Sequence, residues 1–420
     1  MTPERPIGAS IDYRSKPYEL NELYKKYGVE FDLDRYAKLL SEEQQLVDHS
    51  ALASKIATKL KTKFDAVILN NELVFDDSGS LKGADANGAL EHMNGLIHDN
   101  NRFSAFAGAF AKKAFILDVP SGAEVALSVL FISGTTVAPL LLSVKAGSNS
   151  KLTMNEVFAS GQGEVMTSML QNIQGDERSA VEMNVLHVEE SGAAGFSIAN
   201  ATAQDRASIA MNSLYAGGAI HKQHSELAAI GSNSRVESND VVIGVGAQKL
   251  DMYTGLLNGG EASVATSEAK VVAMDTSSVI AKGMAKVLHG SKKSLSYLKE
   301  RGLIYDNGAQ IKMMPDMSID EGEVKATHSS SVSPISEDDI FYISARGVQR
   351  DEAKKIVVGG FMLETLGKIN DQRIRSIAAA IALSRLRERS GGVPEISLKD
   401  AWASQTQGQQ AQFDGAHKLR

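Results

Sequence analysis

From Ala114 to about Val287 the chain returns to a short β-favouring run at intervals of roughly 9–16 residues. Runs begin near residues 114, 123, 139, 150, 164, 179, 195, 207, 220 and 234. No other feature restricts the fold as much. Helix-length amphipathic patterns between strands, which a doubly wound α/β sheet requires, are absent. A closed sandwich is complete at about seven strands, whereas ten or more unbroken rungs suit a parallel β-helix whose coils stack on one another. Alternation is clear in places. Val181, Met183, Val185 and His187 share one face, and Glu182, Asn184 and Leu186 share the other.

Helical texture flanks this region. At the N-terminal side Leu20, Leu23 and Tyr24 form one short apolar face, Tyr36, Leu39 and Leu40 a second, and Leu46, Leu52, Ile56 and Leu60 a longer one. Residues 65–77 switch to strand with a turn at Asn70-Asn71, and a Gly- and Asp-rich stretch from Asp76 to Gly88 sets off a small leading unit. After Pro334 the helical period returns. Ser336 followed by Glu337, Asp338 and Asp339 marks a helix start. Ala353, Ile356, Val357, Gly360 and Phe361, then Leu366 and Ile369, predict one apolar face. Asn370-Asp371 caps a further helix carrying Ile374, Ile377, Ala378, Ile381 and Leu386, which Gly391-Gly392 and Pro394 end. The reading gives a helical region with a short β unit (1–100), a β-helix core (101–335), a helical domain (336–392) and a polar, disordered tail (393–420) headed by Trp402.

The 420 residues contain no cysteine, so disulfides, thiolate nucleophiles and Cys-ligated metal are excluded. The net charge of −7 argues against nucleic acid as a main ligand. With no signal-peptide profile and no apolar run of about 18 residues, the expectation is a cytoplasmic chain that does not enter a membrane. No Walker A loop is present, and Gly244-Val245-Gly246 reads as a turn between rungs. His221 and His224 are three apart, a ligand spacing on a helix; on a strand the rings face opposite ways. His187 and His289 read as structural, and His92, His98 and His417 lie in loop or tail texture. A β-helix carbohydrate enzyme would need clustered carboxylates on one face. The adjacent Glu189-Glu190 point oppositely, and Asp338-Asp339 lie outside the β region. That class, with a purely structural solenoid, is the alternative.

The stretch from Thr327 to Phe361, THSSSVSPISEDDIFYISARGVQRDEAKKIVVGGF, is the expected partner surface. His328 sits where the β region gives way to helix, and a neutral imidazole there could ligate iron at an interface. Phe341, Tyr342, Arg346 and the hinge Gly347 are the residue types of interface anchors. This block resembles the C-terminal signature of the SufB/SufD iron–sulfur cluster assembly proteins: the acidic helix start, Phe341-Tyr342, Arg346-Gly347, and the helix ending in Gly360-Phe361. Residues 101–131 resemble that family's entry into its β-helix, down to the turn at Val119 to Gly122, and residues 302–320 its approach to the last strand. The resemblance implies a right-handed parallel β-helix flanked by helical domains. It also implies a SufC-type ABC ATPase docking on the C-terminal helices through Phe341, Tyr342, Arg346, Gly347 and Phe361, which leaves ATP hydrolysis to that partner. A SufB-type sibling, or a second copy, would meet the scaffold, with His328 facing a transient iron–sulfur cluster that this chain alone does not hold. SufB-type chains carry cysteine ligands. Their absence makes this chain SufD-like, although its Ile335 to Asp339 segment is closer to the SufB form.

Overall fold

From Lys113 to Pro334 each strand pairs in parallel with the strand two places on, and the register repeats almost without slippage. Ala180 pairs with Ser208, Ser208 with Arg235, Arg235 with Val264 and Val264 with Leu295. The chain is thus wound into a parallel β-helix of about eight turns. The computed structural model describes residues 12–16, 29, 31–41, 50–84, 102–111, 113–135 and 139–387. The readings on Leu20, Leu23, Tyr24, Leu46, His92, His98, Gly391-Gly392, Pro394, Trp402, His417 and the tail lie outside these residues.

One sheet holds the odd strands from β5 (Glu124–Ser133) to β19 (Lys325–Pro334). The other holds the even ones from β4 (Lys113–Val119) to β18 (Gln310–Ile319). The expected leading β unit does not stand apart. β1 (Ala66–Leu69) and β2 (Glu72–Asp76) form a hairpin through Asn70 and Asn71, both at positive φ, and β1 then pairs in parallel with β5. β3 (Lys82–Ala84) similarly extends the second sheet by pairing with β4. An edge strand offers unpaired amides, which the hairpin satisfies.

One corner of the coil is turned by Asn149, Arg178, Arg206, Asn233, Ala262 and Lys293, each in the left-handed region. Such residues cost energy without glycine. The cost is offset because each turn's amide donates to the carbonyl of the next: Asn149 to Glu177, Arg178 to Asp205, Arg206 to Ser232, Asn233 to Glu261.

The inward faces pack Leu117, Val144, Ile173, Ala201 and Leu227 against Leu127, Met154, Met183 and Met211. Outward faces are covered from both ends of the chain. Phe31 and α1 (Leu33–Ser41), which carries Leu33 and Tyr36, lie with α3 (Arg102–Phe110) on the even sheet over Leu170, Phe196 and Ile198, while α2 (Ser50–Leu60) packs Ile56 and Leu60 on the other side. The C-terminal helices α4 (Glu337–Ser344), α5 (Arg350–Leu366) and α6 (Gln372–Arg385) lie on the odd sheet over Leu130, Val157, Leu186, Leu214 and Val241. Beneath the α5–α6 turn runs a ladder of buried amides on successive coils. Asn184 donates to Asn155 at 2.9 Å, Asn212 to Asn184 at 2.8 Å and Asn239 to Asn212 at 2.9 Å. Lys368 donates to Asn239 at 2.6 Å, and Asn155 donates to Asp371 at 2.8 Å, so the ladder is tied to the helices at both ends.

The apolar face expected on α5 is met in part: Ala353, Leu366 and Ile369 are buried and Val357 and Phe361 half-buried against the core. Ile356 and Gly360 face outward, and Val358, Met362 and Thr365 join the buried stripe. On α6 the expected face is buried as read, and Asp371 caps it by accepting from the amides of Arg373 and Ile374.

Candidate functional site

Two surfaces and one interior cluster stand out. The first surface is the end of the β-helix. Nothing among the described residues covers β19, and nine of its ten residues are exposed. Register places His328 beside Leu298, which itself pairs with Ser267, on the row that points into the coil. Leu298 is buried because β19 lies beyond it; His328 is exposed because no strand among the described residues lies beyond β19. Two residues along the same row Ser330 meets Glu300 of β17 (Leu295–Ile304). Burial pushes the Glu300 carboxyl up to about 8, against the opposing pull of the Ser330 hydroxyl, so it is protonated at neutral pH. Exposed Leu295, Tyr297, Ile319 and Val332 rim this end. Pro315 sits on β18, the edge of the even sheet, where a missing amide is tolerated.

The second surface is α4. Ser336 caps it by accepting from the Asp339 amide at 3.2 Å, and three carboxylates in its first turn complement the helix dipole. Phe341 and Tyr342 are 73% and 62% exposed. Arg346 stacks 3.6 Å above the Tyr342 ring and donates to the Tyr342 carbonyl at 2.8 Å, which holds an aromatic and a cation in one rigid pair. Gly347 has φ +89° with no atom crowding it, so its role is backbone conformation. Phe361 is not part of this surface. It is half-buried against the β-helix, with Lys270 and Arg301 over its ring at 4.9 and 5.3 Å, and its carbonyl accepts from Lys270 at 2.8 Å. Lys270 also bonds Glu364. Phe361 therefore anchors α5 within the chain.

The interior cluster was not legible. On the inward row of the odd sheet, Phe131, Phe158, His187 and Tyr215 stack ring on ring at 4.6–4.7 Å, one from each coil. His221, on β12 (Ile220–Ala229), faces His187 from the opposite sheet with ring centroids 4.4 Å apart. Glu189, in the corner after β9 (Ala180–His187), brings Oε1 to 2.9 Å from His187 Nδ1. Burial, with His187 alongside, holds His221 well below the usual imidazole range, hence neutral. His224 faces outward and stacks on Tyr253, so the predicted opposition of His221 and His224 holds. The reading of His187 as merely structural missed its neighbours; the one local signal was Glu189 two residues on. Glu189 is buried and Glu190 only partly so.

No helix among the described residues is long and apolar enough to cross a membrane. The sequence profile of the SUF system FeS cluster assembly SufBD core domain matches residues 133–361. The iron–sulfur cluster assembly protein SufD of Bacillus subtilis is 23% identical over 285 residues, 66% of this chain and 65% of the relative. SufD of Escherichia coli is 22% identical over 175 residues, covering 42% and 41% of the two chains. A SufBD family protein of Pyrococcus horikoshii is 26% identical over 155 residues, covering 37% and 34%. The matched stretches thus span from 34% to 65% of these relatives' own lengths.

Proposed function

Because the chain belongs to the SufBD family of iron–sulfur cluster assembly proteins, we propose that it serves as a non-catalytic, cysteine-free scaffold subunit of a SUF-type complex. The observation that carries this reading is the uncovered β19. A ten-residue strand with its outer edge unpaired is a template for another strand. A SufB-type sibling, or a second copy of this chain, adds to that edge. It would close the coil over His328, Ser330 and Glu300. With no cysteine in this chain, thiolate ligation of the nascent cluster belongs to the sibling. His328 is the side chain placed to act as an auxiliary ligand or gate for iron or cluster. The cluster is cargo at this interface and is not held by this chain alone.

The exposed Phe341, Tyr342 and Arg346 on α4 supply the anchor for a SufC-type ABC ATPase, which performs ATP hydrolysis. Gly347 sets the angle between α4 and α5. Phe361 supports this face from beneath, and the reading assigns it no direct contact. The compartment in this reading is the cytoplasm.

Co-expression with a SufC-type ATPase and a SufB-type sibling tests both surfaces. Phe341→Ala with Arg346→Ala should leave the sibling bound but release the ATPase in size-exclusion chromatography. His328→Ala should leave the whole complex assembled and abolish cluster reconstitution, read by visible absorbance. Undiminished ATPase association in the first variant, or full cluster yield in the second, rules out the corresponding assignment.

A further inference from the structure

The lumen of the β-helix contains a polar constellation that the scaffold reading does not use. We propose that His187, Glu189 and His221 form a binding site for one divalent transition-metal ion, of the class of Fe(II), Co(II) or Zn(II), sealed inside the coil. One ligand atom from each residue can be chosen so that all three lie within 4.8 Å of one another. Two imidazoles and one carboxylate are a donor set that borderline divalent ions favour, with bonds of about 2.0–2.2 Å. His187 Nδ1 lies 2.9 Å from Glu189 Oε1, a contact that leaves His187 Nε2 and Glu189 Oε2 as the atoms without a partner.

Three further observations point to a ligand. First, His187 Nε2 and Glu189 Oε2 are buried without a hydrogen-bond partner, although both side chains are at least nine-tenths buried. Polar atoms left without a partner at this depth are unfavourable. Second, the inward rows from β7 (Lys151–Ser160) to β14 (Lys249–Asn258), with the corner after β9, carry Glu156, Glu189 and Asp240 but no lysine or arginine. Burial pushes Glu156 and Asp240 up to about 7 and about 6, the response of acids that lack a cation. Third, the room is built. Gly195 lies in register between Thr167 and His221, and a Cβ there would come within 2.8 Å of both His221 Nδ1 and Thr167 Oγ1. Two cavities of about 20 Å³ each flank His187. Thr167, Ser197, Ser213 and Ser225 contribute to their walls, and each cavity is large enough for one water.

The outer partners are also in place. Ser197 Oγ lies 3.1 Å from His221 Nε2, and Thr167 Oγ1 donates to Glu189 at 3.4 Å. Such contacts fix ring orientation and carboxylate rotamer around an ion.

The test uses the untagged full-length chain, stripped with chelator and dialysed anaerobically against Co(II) and, separately, Fe(II). The expected result is one equivalent retained per chain, with the visible d–d bands of a four- or five-coordinate Co(II) ion. His221→Asn and Glu189→Gln should each weaken binding by at least about 100-fold, while His328→Ala and His224→Asn leave it unchanged. No retained equivalent, or full retention in His221→Asn, overturns the site. Should the buried variants fail to fold, X-ray absorption of the Zn(II)-loaded wild-type chain decides. Two imidazoles in the shell uphold the site, and one or none refutes it. These outcomes do not depend on which partner occupies the open end.

Discussion

At the residue scale, the lumen's acids make the most distinctive commitments. Glu300 is protonated in the folded chain up to about pH 8 but ionises near 4.5 when unfolded. The folded state therefore binds more protons than the unfolded one between those values. The contribution of Glu300 to stability is full below pH 4.5 and is lost as pH rises through 8. The slope is at most about 1.4 kcal/mol per pH unit. Glu300→Gln removes this dependence. Urea denaturation should find variant and wild type close at pH 5 and the variant the more stable at pH 8. An equal gap at both values would mean that the carboxyl is already ionised in the fold. Glu156 and Asp240 add the same sign over narrower windows ending near 7 and 6.

At the scale of elements, the asparagine ladder joins sheet to helices. Asn212 both donates to Asn184 and accepts from Asn239. Asn212→Ala leaves one buried acceptor and one buried donor without their partner. Each is worth about 1–3 kcal/mol, so the expected loss is about 2–4 kcal/mol in urea titration. A loss below about 1 kcal/mol would show that the neighbours re-pair along the ladder. The ladder also explains why Met362 and Thr365 join the buried face of α5. Lys368 must reach Asn239, and Asn370 bonds both oxygens of Glu182 at 2.8 and 2.7 Å. With the α5–α6 turn pinned in this way, Met362, Thr365 and Leu366 are the residues that point at the sheet. The hydrophobic period alone could not choose between two adjacent stripes.

At the scale of the whole molecule, the coil is capped on its flanks and left open at β19. The even sheet is sheltered by N-terminal aromatics, the odd sheet by α4–α6, and the last strand by nothing described. Ser329 and Ser331 lie on the outward row of β19, alternating with His328 and Ser330. Ser329→Lys with Ser331→Lys places charge on the free edge without touching the core. Stability should stay within about 0.5 kcal/mol of wild type, while self-association or sibling binding, measured by light scattering after size exclusion, should fall to the monomer. Association that survives both lysines would locate the interface elsewhere.

What the sequence by itself determined is what local physics can encode. Strand starts read near residues 179, 207, 220 and 234 fall within a residue of Ala180, Ser208, Ile220 and Arg235, because alternation and turn punctuation need no long-range knowledge. The caps at Ser336 and Asp371 and the turn at Gly347 were legible for the same reason. The absence of cysteine, read directly, defines the chemical limits of the chain. Tertiary structure alone decided which side chains meet. The corners bend through Arg178, Arg206 and Lys293, where no glycine announces a left-handed turn. Phe361 turns inward onto Lys270. His187, with Glu189 two residues on, meets His221 only because the coil sets them across the lumen from one another. In a β-helix the neighbour that matters lies a coil away, at separations of 27, 28 or 29 residues along the ladder. Because that interval drifts from coil to coil, the register, and with it the buried cluster, is written only in the fold.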